Sequence, residues 1–214
     1  MTHGIFHGYA STGTGQQSGQ LTAQLLLGLD RPILTAALSM TFLIFFSVGM
    51  ANAGPQPASC TGTGACSGNT GPVAPGSCNG DFSCAGNTGP IGPGSCNGNL
   101  SCEDNSGAVG SGSCNNSSCQ DNRASIGPNS CTAAGCFGNQ APVGSNSCQG
   151  LKSCDGNTGA IEKGSCNGAG SCFLNSGSIG KGSCNGLNSC ICNTAAIGPG
   201  QCNDANECPG PLCY

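Results

Sequence analysis

Residues 76–93 read GSCNGDFSCAGNTGPIGP, and residues 94–111 repeat them in register as GSCNGNLSCEDNSGAVGS. Two cysteines, an asparagine and an aliphatic residue keep their places in both. A short unit recurring at fixed spacing is the signature of a repeat architecture, in which each unit buries its inward face against its neighbours. The pattern extends both ways from this stretch. Cysteines come in pairs: Cys60/Cys66, Cys78/Cys84, Cys96/Cys102, Cys114/Cys119, Cys131/Cys136, Cys148/Cys154, Cys166/Cys172, Cys184/Cys190 and Cys202/Cys208. From the second cysteine of a pair to the first of the next is always 12 residues. Within a pair the step is 6, or 5 at Cys114/Cys119 and Cys131/Cys136, so the period is 18 with two units of 17.

Other columns run in register. In the first eight pairs an aliphatic stands 7 after the second cysteine, at Val73, Ile91, Val109, Ile126, Val143, Ile161, Ile179 and Ile197. An asparagine stands 3 after it, at Asn69, Asn87, Asn105, Asn122, Asn139, Asn157, Asn175 and Asn193. Serine precedes the first cysteine from Ser59 to Ser183, and Gln201 takes that place in the last unit. The two short units lose their residue between the paired cysteines, so that bend tolerates a deletion where the other sides do not.

A helix does not explain these columns, because the repeats are saturated with Gly, Pro, Asn and Ser. The spacing predicts an all-β fold: a disulfide-rich β-solenoid, or parallel β-helix-like rod, of about eight to nine coils of 18 residues with short strands and much irregular structure. Each coil has three short extended sides, and the aliphatic and the two cysteines point inward, one per side. Equivalent residues stack at about 4.8 Å, giving a rod on the order of 40 Å long. The Asn-Gly pairs Asn79-Gly80, Asn97-Gly98, Asn167-Gly168 and Asn185-Gly186 are expected to supply the positive φ of tight corners. The asparagine column suits an inward amide ladder, each side chain bonding its neighbour above and the local backbone.

Each coil offers only one Ile or Val to a dry core, so sulfur is expected to act as both staple and core filler. Pairing within a coil is the preferred connectivity, since cysteines on adjacent sides of a narrow coil meet at the ~5.5 Å Cα separation a disulfide needs. Pairing between coils stays open. Cys192 and Cys213 fall outside the columns and are expected to bond to each other, pinning residues 209–214 as a C-terminal cap. Pro209 and Pro211 there, with Pro55 and Pro57 in the edge segment 54–59, would blunt open sheet edges.

The first 53 residues differ from the rest. Residues 1–31 are polar and cysteine-free, and residues 32–50, PILTAALSMTFLIFFSVGM, carry no charge. Arg31 precedes the apolar run, and Ala51-Asn52-Ala53 gives a small-x-small cleavage pattern before Gly54-Pro55. Residues 1–53 are therefore expected to be an export leader cleaved after Ala53, with the repeat at 60–208 secreted, at the cell surface or in a periplasm. Thiols oxidise in those places. A run of this length would serve as a membrane anchor only if retained.

Composition narrows the function. The chain has 39 Gly, 20 Cys, 7% charged residues and a net charge of −4. Past residue 53 the cations are Arg123, Lys152, Lys163 and Lys181, too few for a nucleic-acid footprint. Both histidines, His3 and His7, lie in the leader. Nucleophile-and-base arrangements then lack candidates in the repeats, and no enzyme activity, cofactor or metal is expected. The carboxylates Asp81, Glu103, Asp104, Asp121, Asp155, Glu162, Asp204 and Glu207 scatter over different columns and read as solvating groups, unlike the one carboxylate per turn of calcium-binding solenoids. Thiolate metal binding is a third reading, with only Cys190-Ile191-Cys192 in CxC spacing. Phe82, Leu100, Leu151, Phe173 and Leu187 in or beside the variable corners are candidates for an exposed apolar strip.

Over residues 60–208 the pattern of cysteines six apart in a narrow coil resembles, in architecture and not in motif, the beetle antifreeze proteins. That resemblance implies a flat face of threonines that binds ice. Here the residue after each ladder asparagine is Thr70, Thr88, Ser106, Arg123, Gln140, Thr158, Ser176 and Thr194, a single column interrupted twice. The expected function is a secreted, non-catalytic structural or adhesive rod, with ice binding the alternative. Its expected partner is surface, matrix or wall material or another copy of the chain.

Overall fold

The computed structural model describes residues 59–210. They lie within one compact unit. The expected leader at 1–53, residues 54–58 of the expected edge segment, and Pro211 and Cys213 of the expected cap lie outside the described residues.

Each repeat folds into one coil that bonds to the coil before it and the coil after it. The aliphatic column carries the regular register: parallel bridges join Val73 to Ile91, Ile91 to Val109, and so on to Ile179 with Ile197. Around a bridge the main chain bonds in both directions. Ile91 N–H donates to Pro72 O at 2.9 Å, and Gly92 N–H donates to Val109 O at 2.8 Å. This is the slanted hydrogen bonding of parallel strands, and among the described residues no helix forms and no strand exceeds a single bridge residue. The ladder is short because a positive-φ residue follows three places after the bridge. Gly94 (φ 65°), Gly112 (φ 66°) and Asn129 (φ 53°) are examples, and Gly or Asn fills that place in every coil.

Of the three sides expected, only the aliphatic side forms β-bridges among the described residues. The cause lies in the disulfides. Cys78 and Cys84 are 6 residues apart with Cα atoms 5.6 Å from each other, whereas six extended residues would span about 20 Å. The chain doubles back between them through successive turns: Ser83 N–H donates to Gly80 O at 3.2 Å and Ala85 N–H to Phe82 O at 3.2 Å. The first cysteine of each pair sits in the left-handed region, as at Cys78 (φ 59°) and Cys166 (φ 58°). Stacking continues through these turns, with Cys78 N–H bonded to Ser95 O at 3.0 Å and Cys84 N–H to Ala65 O at 2.7 Å.

The Asn-Gly pairs also differ from expectation. Gly80, Gly98, Gly168 and Gly186 do not have positive φ. What they provide is closeness: a Cβ on Gly168 would collide with the Gly186 carbonyl oxygen, and one on Gly80 would collide with the Gly98 carbonyl. Successive coils approach at this corner nearer than any side chain allows.

The core is three columns wide. Paired cysteines from Cys78 to Cys190 are 0% exposed, and the aliphatics from Val73 to Ile179 are 1–6% exposed. In the last coil Ile197 and Cys208 are only partly buried.

Candidate functional site

Nine disulfides have both cysteines among the described residues, and all close within one coil: Cys60 with Cys66, Cys78 with Cys84, Cys96 with Cys102, Cys114 with Cys119, Cys131 with Cys136, Cys148 with Cys154, Cys166 with Cys172, Cys184 with Cys190 and Cys202 with Cys208. Cys192 is also disulfide-bonded, and its expected partner, Cys213, lies outside the described residues. Sulfur clusters such as Cys119, Cys131 and Cys136, or Cys202, Glu207 and Cys208, fall within metal-ligand distance of one another. Their sulfurs are already in disulfides, so they offer no thiolate to an ion.

Beside the sulfurs runs the amide ladder. Asn105 Nδ2 donates to Asn87 Oδ1 at 2.7 Å and to Gly107 O at 2.8 Å. Equivalent rungs join Asn69, Asn87, Asn105, Asn122, Asn139, Asn157, Asn175 and Asn193 without a break, passing through both 17-residue units. Asn87 to Asn175 are fully buried, and both amide hydrogens are used, which is what a buried amide requires.

A second ladder was not foreseen from the sequence. Ser95 N–H donates to Ser77 Oγ at 3.2 Å, while Ser95 Oγ donates to Gly110 O at 2.8 Å. The N–H groups of Ser113, Ser130, Ser147, Ser165 and Ser183 likewise donate to the Oγ of the serine one coil back. The signal lay in the recurrence of serine before each first cysteine. Where the recurrence stops, Gln201 N–H still donates to Ser183 Oγ at 3.1 Å, and Gln201 Oε1 accepts from Gly198 N–H at 3.0 Å. In interior coils the equivalent N–H, that of Gly180, bonds to the next coil at Ile197 O. Gln201 thus supplies from within its own coil the acceptor that Gly180 N–H finds in the next coil.

Several carboxylates expected to be merely solvating bond the main chain of another coil. Asp81 Oδ1 accepts from Thr63 N–H at 2.8 Å, Asp155 Oδ1 from Phe137 N–H at 3.0 Å and Glu162 Oε2 from Lys181 N–H at 3.0 Å. Burial pushes the Asp155 carboxyl up from its ordinary value, against the opposing pull of the Phe137 N–H and the Lys152 charge. A carboxyl raised in the folded state contributes stability that is fully present below its unfolded value and is lost as pH rises through the folded value. Asp155→Asn keeps an acceptor for Phe137 N–H but cannot ionise. Urea midpoints of the two proteins are therefore expected to coincide in acid and to separate in the variant's favour above the folded value. Parallel curves at all pH values would show that Asp155 titrates alike in both states.

Outward, the aliphatic side alternates cleanly. Thr88 and Pro90 are exposed while Gly89 and Ile91 are buried, and the same alternation runs from the Thr70 coil through the Ser176 coil, except that Ala124, in the place of Gly89, is only half-buried. One outward column is Thr70, Thr88, Ser106, Arg123, Gln140, Thr158, Ser176 and Thr194, and the other holds only Pro, Ala and Ser. The candidates for an apolar strip differ in exposure. Phe82, Leu151 and Leu187 are exposed, joined by Phe137 and Leu174, while Leu100 and Phe173 are half-buried. The Phe82 ring lies over Gly64 and the Leu174 methyl over Gly156, each seated on the coil before it. A shallow depression in the last coil is lined by Gln201, Asn203, Asp204 and Glu207, and Glu207 Oε2 is committed to Asp204 N–H at 3.0 Å.

A family model described as a domain of unknown function (DUF7640) matches residues 47–135 and, a second time, residues 132–212. No curated protein and no solved structure matches the chain.

Proposed function

We propose, for a chain that belongs to the DUF7640 family, the role of a secreted, non-catalytic structural or adhesive rod built as a disulfide-stapled β-solenoid. The observation that carries this reading is where the chemistry-bearing groups are spent. Described cysteines are in disulfides, the asparagine and serine columns are consumed in ladders between coils, and several carboxylates hold main-chain N–H groups. What is left outward is mainly a repeating relief of small and polar side chains, set with the apolar Phe82, Phe137, Leu151, Leu174 and Leu187, suited to contact along a length rather than to turnover at a point. The disulfides call for an oxidising compartment. Among the described residues no helix is long and apolar enough to cross a membrane. The test is expression of the full chain with its own leader, followed by recovery from the medium and binding to insoluble wall or matrix polysaccharide and protein. Retention on such material supports adhesion. A chain kept inside the cell, or exported without affinity for any matrix fraction or for itself, contradicts it.

The alternation of exposed and buried residues along the aliphatic side favours ice binding as a second reading, because it presents two outward columns on one regular face. Thermal hysteresis at micromolar protein, abolished by bulky substitution at Thr88 and Thr158, would support it. Normal freezing would remove it.

A further inference from the structure

We propose that Asn99 is an acceptor for an N-linked glycan. This inference rests on the export reading above, because the transfer belongs to the secretory route. Three segments match the acceptor pattern Asn-x-Ser/Thr: Asn99-Leu100-Ser101, Asn115-Asn116-Ser117 and Asn116-Ser117-Ser118. The ladder asparagines never match, since Gly or Ala stands two places after each, as in Asn87-Thr88-Gly89 and Asn122-Arg123-Ala124. The buried amide column is thereby closed to the modification.

The fold separates the three matches. In the finished coil Ser101 is 0% exposed, and its Oγ accepts from Gly98 N–H at 2.7 Å. Transfer must therefore precede closure of the coil, and the fold decides only which product fits. Asn115 is half-buried, its Oδ1 accepting from Asn97 N–H at 2.9 Å and its Nδ2 donating to Gly112 O at 3.3 Å. A sugar on that nitrogen would stand inside the corner. Asn116 is exposed, but it holds φ at 59° and donates from Nδ2 to Thr132 O at 3.1 Å. Asn99 is exposed, and its bond to the neighbouring coil runs through its main-chain carbonyl, which accepts from Ser117 Oγ at 2.7 Å. Its side-chain amide is left for modification.

The position of Asn99 also gives the shortened repeats a meaning. It lies between Cys96 and Cys102, and the next two coils, Cys114 to Cys119 and Cys131 to Cys136, are the ones with 5 rather than 6 residues between paired cysteines. The chain gives up bulk at this corner in the coils that follow Asn99. In the transfer, Asn99 Nδ2 forms a bond to the anomeric carbon of a lipid-pyrophosphate-linked oligosaccharide. The anomeric carbon–oxygen bond breaks, the lipid pyrophosphate leaves with the electron pair, and one amide proton passes to a base.

The full chain would be expressed in a glycosylating eukaryotic host in two forms, behind its own leader and with a host export signal placed ahead of it. Exported protein would be treated with peptide N-glycosidase in 18O-water and mapped by peptide mass. The expected result is an 18O-labelled aspartate at position 99 and none at 115, with Asn99→Gln removing one glycan from the intact mass. Export only behind the host signal, with label at 99, sinks the export reading and leaves this inference standing. Exported protein unlabelled at Asn99, from either form, overturns the inference.

Discussion

Asn122→Asp is expected to destabilise the stack by about 3 kcal/mol or more at neutral pH, although it changes one amide to an acid of the same shape. Asn122 Nδ2 donates to Asn105 Oδ1 at 2.7 Å and to Ala124 O at 2.7 Å, while its Oδ1 accepts from Asn139 Nδ2 at 2.9 Å. The aspartate keeps the acceptor and loses both donors, so two buried acceptors face a third. It also places a charge at a fully buried position. Desolvation raises a carboxyl in such a place, so the ionic part of the penalty vanishes below the unfolded value and grows as pH rises to the folded one. The neutral acid restores one of the two lost donors. Urea midpoints should therefore fall sharply at neutral pH and recover in part on acidification, whereas Asn122→Ala should show no such recovery. An aspartate variant as stable as the parent at neutral pH would mean that the amide column contributes nothing.

Gly168→Val is the second large effect, again about 3 kcal/mol or more, through overpacking against main chain that cannot rotate away. A Cβ there collides with the Gly186 carbonyl oxygen and lies 2.8 Å from the Asn185 carbonyl oxygen. The column explains itself by its exceptions. Gly62, Gly80, Gly98, Gly150, Gly168 and Gly186 fill it in the coils with 6-residue spacing that have another coil after them, Asn116 and Ala133 fill it in the two short coils, and Asp204 fills it in the last. Among the described residues no further coil follows Asp204. Asp204 is exposed, so Asp204→Val should change the denaturation midpoint little, and the contrast between the two valines separates replacement of a glycine packed against the next coil from the intrinsic effect of a valine at this corner. Equal effects at the two positions would contradict the crowding account.

What was legible in the sequence was whatever one residue type does alone. Sulfur, the carboxamide and a branched aliphatic each have a single use inside a narrow coil, so recurrence at fixed intervals named the cysteine pairs, the asparagine rungs and the Val/Ile bridges. Glycine has two uses, positive φ and close approach, and spacing does not distinguish them. Hence Gly80 and Gly168 read as corner residues when they are points of contact between coils. The serine before each first cysteine was visible as a column but not as a ladder, because a hydroxyl serves turns, caps and surfaces equally well. The left-handed conformation of Cys78 and its equivalents was hidden for another reason: cysteine rarely adopts it, and only the demand that two residues 6 apart close to 5.6 Å enforces it here. The outward surface was the least legible, since relief and exposure depend on which neighbours fold over which glycine, as Phe82 does over Gly64.

If bridged sulfur takes the place of an oily interior, the most direct measurement is amide hydrogen exchange on the oxidised chain and on the same chain fully reduced in native buffer. The account predicts slow exchange in the oxidised protein at the N–H groups that join coils, such as those of Ile91, Val109 and Ile126, and its loss throughout on reduction. A reduced chain that keeps those amides protected would show that the stack holds without its sulfur bridges.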